Sequence, residues 1–415
     1  MNIKDLLKVK FIQNSVWLFV LQGVNTILPL LTIPYMTRIL SVSQYGYFSI
    51  GLNWIGYLQV LVEFGFGLSA SRKIAITNDE DDNIIFTNIV LSRLILAGIS
   101  FIMLIILINI CGFNEEINIC MVILFSMAIG TIFQFNWFFQ GKEDMKYITI
   151  GNVLGRTIST SLIFLLVKDS GDLFLYSFLY SLNFLLMGIF GFTLLKIKYK
   201  IKFVKTTLSN VISEIKSGWY VFISKAITSI FSGIGITYLG LIATSEEVGM
   251  YSAIFKIPTV LTLAWSPISQ GIYPYISKKF CLSFKKGIEY IKRISKYILG
   301  VYGIIGVVII VLREQIVYWF LGPNYVTYSM LVVPFVIWIL VGIVNNLMGI
   351  QTLVGSGYDK DYSKCFTLSF IVSVICIMVL GKFFLAYGIA YASLISELFL
   401  TFLLVIKIRK INKEV

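Results

Sequence analysis

Apolar runs of about 20 residues, each closed by a short polar or basic interval, recur along the whole chain, and that is the length a helix needs to cross a bilayer. The pattern predicts spanning helices near 14–37, 46–69, 84–110, 117–139, 147–167 and 173–195. A second series follows near 218–242, 250–275, 297–312, 328–353, 365–381 and 386–406. The pattern also repeats in detail. The stretch from Ser15 to Ile50 is written again from Ser217 to Ala253, so that Trp17 matches Trp219 and Thr26 matches Thr228. After one residue of slippage, Gln44 to Ser49 aligns with Glu247 to Ser252. An internal repeat on this scale divides the chain into two related halves. An even number of spans per half leaves both halves in the same orientation. The expected fold is therefore an all-α integral membrane protein of about twelve transmembrane helices, in two six-helix parallel repeats around a central cavity. The expected halves are residues 1–195 and 218–415, joined by a basic cytoplasmic linker at 196–217.

Composition narrows the class. The 415 residues are 58% hydrophobic and 13% charged, with a mean hydropathy of +0.88, far from soluble globular usage. Histidine is absent, which removes the commonest metal ligand and the side chain best suited to proton transfer near neutral pH. The cysteines are scattered without a C-x-x-C pair, so neither a zinc site nor a disulfide framework is indicated. No G-x-x-x-x-G-K-[ST], G-x-S-x-G or H-E-x-x-H occurs. An enzyme is therefore not expected, and neither a metal nor a cofactor is called for. Work against a gradient would draw on H+ or Na+.

Lysine and arginine set the orientation. Arg38, Lys168, Arg313 and Lys382 fall on one side of the predicted spans, and Arg93, Arg156, Lys225 and Lys256 fall inside them. The rest of the 34 basic residues, including Lys4, Lys8 and Lys10, gather on the other side. Both termini are thus expected in the cytoplasm. The net charge of +13 reads as this topology signal plus attraction to anionic headgroups, not as nucleic-acid binding. The lysine-rich stretches 196–217 and 277–296 are expected to be amphipathic loops along the cytoplasmic interface. Asp79-Glu80-Asp81-Asp82 reads as a solvated acidic loop.

Six ionisable residues remain within the spans: Glu63, Arg93, Arg156, Lys225, Lys256 and Glu397. A basic residue at mid-bilayer costs about 2.5–3.5 kcal/mol, so such residues usually face a cavity or a partner. Helical spacing places Arg156 with Thr149, Asn152 and Ser159, and Lys225 with Thr228 and Ser232. Lys256 falls with Ser252, Thr259, Ser266 and Gln270, and Glu397 between Ser393 and Thr401. The functional reading is a wet, net cationic cavity suited to phosphate. Arg156, Lys225, Lys256 and Arg93 would bind substrate there. Gln22, Asn25, Asn53 and Asn152 would line it, and Glu63 or Glu397 would neutralise or couple. The structural reading is that either carboxylate simply neutralises a basic neighbour, and that Arg93 snorkels to the interface. Pro29 and Pro34 in the first span, and Pro258, Pro267 and Pro274 in the eighth, predict bent helices.

The run Asn136-Trp137-Phe138-Phe139-Gln140-Gly141-Lys142-Glu143 resembles the W-F-x-Q-G-x-E element of Wzx-type bacterial polysaccharide flippases. These belong to the multidrug/oligosaccharidyl-lipid/polysaccharide exporter superfamily. The segment from Arg156 through Phe164-Leu165-Leu166-Val167-Lys168-Asp169 and the turn from Leu40 to Gly46 are similar to the same family. Val354-Gly355-Ser356-Gly357, followed by Asp359, is the second-half counterpart of the Gln140-Gly141 element. The resemblance implies transbilayer movement of an undecaprenyl-diphosphate-linked oligosaccharide, for O-antigen, lipopolysaccharide or capsule, across the bacterial inner membrane. It implies a polysaccharide polymerase and a chain-length regulator as partners beside membrane lipids. The alternatives are a same-fold exporter of another cargo, a lipid-linked precursor or a drug exchanged for an ion, and, from other classes, a membrane-embedded polymerase or an assembly scaffold. A drug/cation antiporter would be expected to carry acidic residues where this chain is net basic.

Overall fold

The computed structural model describes residues 3–77 and 79–414, without the side chains of residues 3–12, 15, 79, 80 and 414. The side chains of Lys4, Lys8, Lys10, Ser15, Asp79 and Glu80 named above thus lie outside the described residues. The chain is helical throughout its spans. In order, the first helices are α1 Ile3–Ile39, α2 Val42–Glu63, α3 Phe66–Ile76, α4 Asp79–Cys111 and α5 Glu115–Leu124. They are followed by α6 Ser126–Ile132, α7 Asn136–Gly141, α8 Met145–Leu166, α9 Leu173–Ile197 and α10 Leu208–Ile242. The remainder is α11 Ser245–Leu282, α12 Phe284–Val311, α13 Arg313–Leu321, α14 Val332–Asn346 and α15 Asp359–Glu414.

Among the described residues, ten helical stretches are long and apolar enough to cross a membrane. The last of them is really two. At Leu385 the backbone leaves the helical region (φ 48°, ψ −126°), and the two arms run back along each other. The Ser369 hydroxyl donates to the carbonyl of Ser396 at 2.7 Å, and Lys407 pairs with Asp361 at 2.8 Å. Counting both arms and adding the 22-residue α2, diluted by Gln44, Asn53 and Gln59, gives the twelve expected spans.

The repeat reappears at the helix caps. Ser41, in extended conformation (φ −62°, ψ 158°), accepts from the Gln44 amide to start α2. Thr244 (φ −71°, ψ 155°) accepts from the Glu247 amide to start α11. A side-chain oxygen at this position satisfies one of the orphan amides of a new helix. Both caps follow a helix of at least 35 residues, so the two copies turn at matching places.

By packing, the chain forms two compact units, Met1–Thr237 and Tyr238–Val415. In the first, α8 packs on α1 and α9, α2 on α4 and α5, and α3 on α7. In the second, α11, α12, α14 and α15 pack together. One core cluster there joins Ile276, Phe280, Phe284, Ile291, Leu353 and Leu404.

Several expectations need correction. The stretch 277–296 is not a loop: α11 runs to Leu282 and α12 begins at Phe284, with Ser283 alone between them. Its apolar residues Phe280, Phe284, Gly287 and Ile291 are buried. Their helical spacing makes one apolar face, on which the ends of the two helices pack. The fourth predicted span, 117–139, is broken into α5, α6 and α7. The linker is extended only between α9 and α10, and α10 starts at Leu208. Asp82 is no solvated loop residue. It lies in the first turn of α4 at 1% exposure, held by Lys142 at 2.6 Å.

Candidate functional site

Glu63 ends α2, immediately before a left-handed turn at Phe64 (φ 47°) and Gly65 (φ 74°). A side chain on Gly65 would strike Val221 of α10 at 2.7 Å, so glycine here serves both the turn and the close approach. The approach delivers Lys225 to Glu63: the ammonium donates to Oε1 at 2.7 Å and to Oε2 at 2.6 Å. The two side chains are 37% and 26% exposed. They form a partly exposed ion pair.

Arg93 does not snorkel. It is 2% exposed and its Nη1 donates to the carbonyls of Thr131 at 2.9 Å and Gln134 at 2.7 Å, with Ile132 at 3.4 Å. These are carbonyls freed where α6 stops, and inside a membrane such groups must be satisfied by protein. The guanidinium, with several donors in one plane, can serve them together. Glu63, Gln59, Arg93, Thr131, Gln134 and Trp137 line one cavity of about 260 Å3. Three N–H groups on these residues, Arg93 Nε, Gln134 Nε2 and Trp137 Nε1, have no acceptor among the described residues.

Arg156 lies half-buried on α8. With Thr32, Ser159, Thr160, Tyr180 and Asn183 it lines a narrow cavity of about 40 Å3, and its Nε has no partner among the described residues. The other polar side chains of its stripe donate to backbone carbonyls. Thr149 donates to the Trp17 carbonyl at 2.8 Å, Asn152 to Ile148 at 2.9 Å, and Ser159 to Leu179 at 2.5 Å.

Asn53 donates to Thr237 at 2.7 Å, and Tyr57 shares that hydroxyl at 2.7 Å. On α1, Gln22 is exposed and Asn25 half-buried, with the Asn25 Oδ1 unpartnered among the described residues.

The second unit holds Lys256 and Glu397. Lys256 is exposed on α11, and among the described residues no carboxylate pairs with it. Farther along the same face, Gln270 donates to Ser266 at 3.2 Å, whereas Ser252 is buried. Among the described residues Glu397 is not paired with a cation either. Asn345 donates to its Oε2 at 2.5 Å and to its carbonyl at 2.9 Å, and Thr401 donates to the Asn345 Oδ1 at 2.7 Å.

A second polar cluster was not anticipated. Gln351, 0% exposed, donates to the carbonyl and hydroxyl of Ser269 at 2.9 and 3.0 Å, and Ser269 donates to Asn346 at 2.8 Å. It sits at a π-helical turn, Leu347–Leu353, a local widening often found at functional sites. Asn345, Asn346 and Gln351 interrupt an otherwise apolar span, which was a readable signal.

The Trp137–Gly141 element packs closely, although Trp137 also lines the cavity beside Glu63. Trp137 is 1% exposed, and a side chain on Gly141 would meet Ile74 at 2.7 Å and the Ser71 carbonyl at 2.8 Å. Only glycine lets α7 approach α3 this closely.

A family model described as "Polysaccharide biosynthesis protein" matches residues 11–280. The chain belongs to this polysaccharide biosynthesis protein family. Relatives agree over nearly the full length. A protein of Escherichia coli (strain K12) named "Putative O-antigen transporter" is 30% identical over 410 residues, covering 97% of each chain. One of the same name from Shigella dysenteriae is 26% identical over 396 residues, covering 93% of this chain and 96% of its own. Among solved structures, the lipid II flippase MurJ in an inward closed conformation aligns with a TM-score of 0.69 at 13% identity, covering 96% of this chain and 87% of its own. An inward-facing multidrug resistance MATE family transporter of the MOP superfamily aligns at 0.66 with 14% identity, covering 94% and 99%. These structural likenesses establish the fold of this family member. It is a multi-pass membrane transport protein, not an enzyme.

Proposed function

We propose that the protein is a flippase that carries undecaprenyl-diphosphate-linked oligosaccharide repeat units from the cytoplasmic to the outer leaflet by alternating access, for surface polysaccharide assembly. The observation that carries this reading is the near full-length similarity to relatives named as O-antigen transporters. Physical chemistry supports it. A sugar chain and a diphosphate cannot cross about 30 Å of hydrocarbon unaided. The protein need only give the head group a wet cationic path while the lipid tail stays in the bilayer. Arg156, Lys225 and Lys256 are the candidate contacts for the diphosphate, with Gln22, Asn25, Asn53 and Asn152 as polar lining. Glu63 and Glu397 are candidates for coupling to H+ or Na+. The protein would sit in the bacterial inner membrane with both termini cytoplasmic, handing cargo to a polysaccharide polymerase and its chain-length regulator.

The test is leaflet exposure of the lipid-linked repeat unit in liposomes, read with a membrane-impermeant probe of its sugar. Protein-dependent exposure, depressed by Lys225→Ala and by Lys256→Ala without loss of insertion, is the expected result. No exposure, with or without an ion gradient, would remove this cargo from consideration. Full activity in the Lys225→Ala/Lys256→Ala double variant would overturn the cationic path.

A further inference from the structure

A groove of about 630 Å3 opens between the start of α4 and the end of α9, with a floor of Phe86, Phe192, Leu195 and Phe203 and a rim of Lys196, Lys200 and Lys202. We propose that it holds one anionic phospholipid, its phosphate among the three lysines and an acyl chain on the aromatic floor. This proposal does not depend on the identity of the transported cargo.

The floor is apolar and partly open. Leu195 and Phe86 are buried beneath it, while Phe203 is 55% exposed and packs on Phe86 at 5.0 Å between ring centres. The rim is charged. Lys196, Lys200 and Lys202 are exposed, and no carboxylate pairs with them among the described residues. Of the described acidic side chains, Asp82 is held by Lys142 at 2.6 Å and Asp144 by Lys198 at 2.9 Å. Asp81, exposed two residues before Asn83 and so on another face of α4, makes no ion pair within the described residues.

The groove is also built rather than incidental. Its outer wall is the extended segment after α9, pinned to α4 by three bonds. The Lys202 amide donates to Asn83 at 2.7 Å, the Val204 amide to Thr87 at 3.1 Å, and the Thr206 hydroxyl to Asn88 at 2.6 Å. The segment enters through Lys200 in the left-handed region (φ 54°), a conformation that lysine adopts only when its surroundings impose it. The buried Ile201, whose amide donates to Leu195 at 3.1 Å, anchors that turn. Both α4 and α9 are membrane-spanning, so their ends place the groove where hydrocarbon gives way to headgroups. A basic pocket between helices at this depth suits a lipid phosphate. A free phosphate would use the lysines and leave the aromatic floor idle.

The test uses the full-length protein in neutral detergent, with phosphatidylglycerol and phosphatidylcholine of matched chains supplied in equal amounts and retention read by native mass spectrometry. Several-fold preferential retention of phosphatidylglycerol is expected. It should vanish in a Lys196→Gln/Lys200→Asn/Lys202→Gln variant, in which asparagine tolerates the left-handed turn and the melting temperature in phosphatidylcholine serves as the folding control. The single Lys202→Gln variant, altering one exposed side chain, should weaken retention on an intact fold. Phe203→Ser should lower it without altering the lysines. Equal retention of the two lipids, or unchanged retention in Lys202→Gln and the triple variant, would overturn the proposal. So would displacement of the lipid by millimolar glycerophosphate, which would mark a phosphate-only site. Retention of a polyprenyl diphosphate in place of phosphatidylglycerol would assign the groove to cargo and overturn it equally.

Discussion

Lys225 donates to both carboxylate oxygens of Glu63, at 2.7 and 2.6 Å, so a lysine on the polar face of α10 is tied to the last residue of α2. Pairing explains how a cation is tolerated there, and it does not exclude a role toward an anion, because both side chains remain partly open. An exposed pair of this kind contributes about 1 kcal/mol or less. The Glu63→Gln/Lys225→Gln double variant should therefore insert and melt within a few degrees of the parent. Its transport should nonetheless fall about tenfold, equivalent to about 1.4 kcal/mol of lost stabilisation along the path. The liposome exposure assay checks this, and undiminished transport would reduce the pair to a structural link.

Arg93 should behave in the opposite way. Its guanidinium serves the carbonyls of Thr131 and Gln134 at the break after α6. Arg93→Ala strands those acceptors in a buried setting, at a cost of about 1–3 kcal/mol for each unsatisfied group. The expected outcome is a large fall in melting temperature and folded yield in detergent. Arg93→Lys, with one ammonium in place of a planar fork, should recover only part of it. A normally stable Arg93→Ala protein that has lost only transport would move Arg93 from framework to binding.

Gly141→Ala tests the close contact of α7 with α3. The added methyl would meet backbone and a β-branched side chain rather than a flexible tip, and overpacking of this kind costs about 1–3 kcal/mol. Melting of the purified variant should show that loss, while Gly357→Ala makes an instructive contrast. Gly357 has open space around it but a φ of 86°, so its penalty is conformational rather than steric. If Gly141→Ala melts with the parent, the contact is looser than the geometry indicates.

Much of this architecture was legible in the chain because lipid imposes a simple rule: apolar runs of fixed length mark spans, and lysines mark a side. The repeat was legible through Trp17 and Trp219 and through the turns that Ser41 and Thr244 now cap. Helix breaks without a sequence breaker were not legible. The interruption around Phe133–Phe135 carries neither proline nor glycine, and its stabiliser, Arg93, is about 40 residues away in the chain. Hydrophobicity alone read that arginine as a snorkelling cation. Helical spacing groups a polar stripe around Arg156, yet Thr149 and Ser159 spend their bonds on neighbouring backbones and Asn152 spends its own on α8 itself. Periodicity finds a face without saying what covers it. The Asn345–Glu397 bond joins residues of two different helical segments, and only packing could bring them together.

Asp144 provides the pH test, being outside the spans and tied to the residues that follow α9. It accepts from Lys198 at 2.9 Å and from the Tyr199 hydroxyl. Partial burial alone would raise its pKa, but the Tyr199 and Lys198 hydrogen bonds outweigh that and hold the carboxyl below its ordinary 3.8. The folded value is therefore the depressed one. Its stabilisation is fully present above the unfolded value of about 4 and is lost as pH falls through the folded value beneath it. Lys198 is shifted upward: burial opposes the shift, and the bonds to Asp144, Tyr147 and Tyr199 prevail. Its contribution is present below the unfolded value of about 10.4 and is lost only on going still more alkaline. Between about pH 5 and 9 the cluster should thus be insensitive to pH. Asp144→Asn should cost about 1 kcal/mol across that window, since both partners are partly exposed. Melting curves of the two proteins should then draw together below about pH 4, as the parent's carboxylate is protonated. A gap that is as wide at pH about 3 as at pH about 7 would show that Asp144 acts through packing, not through charge.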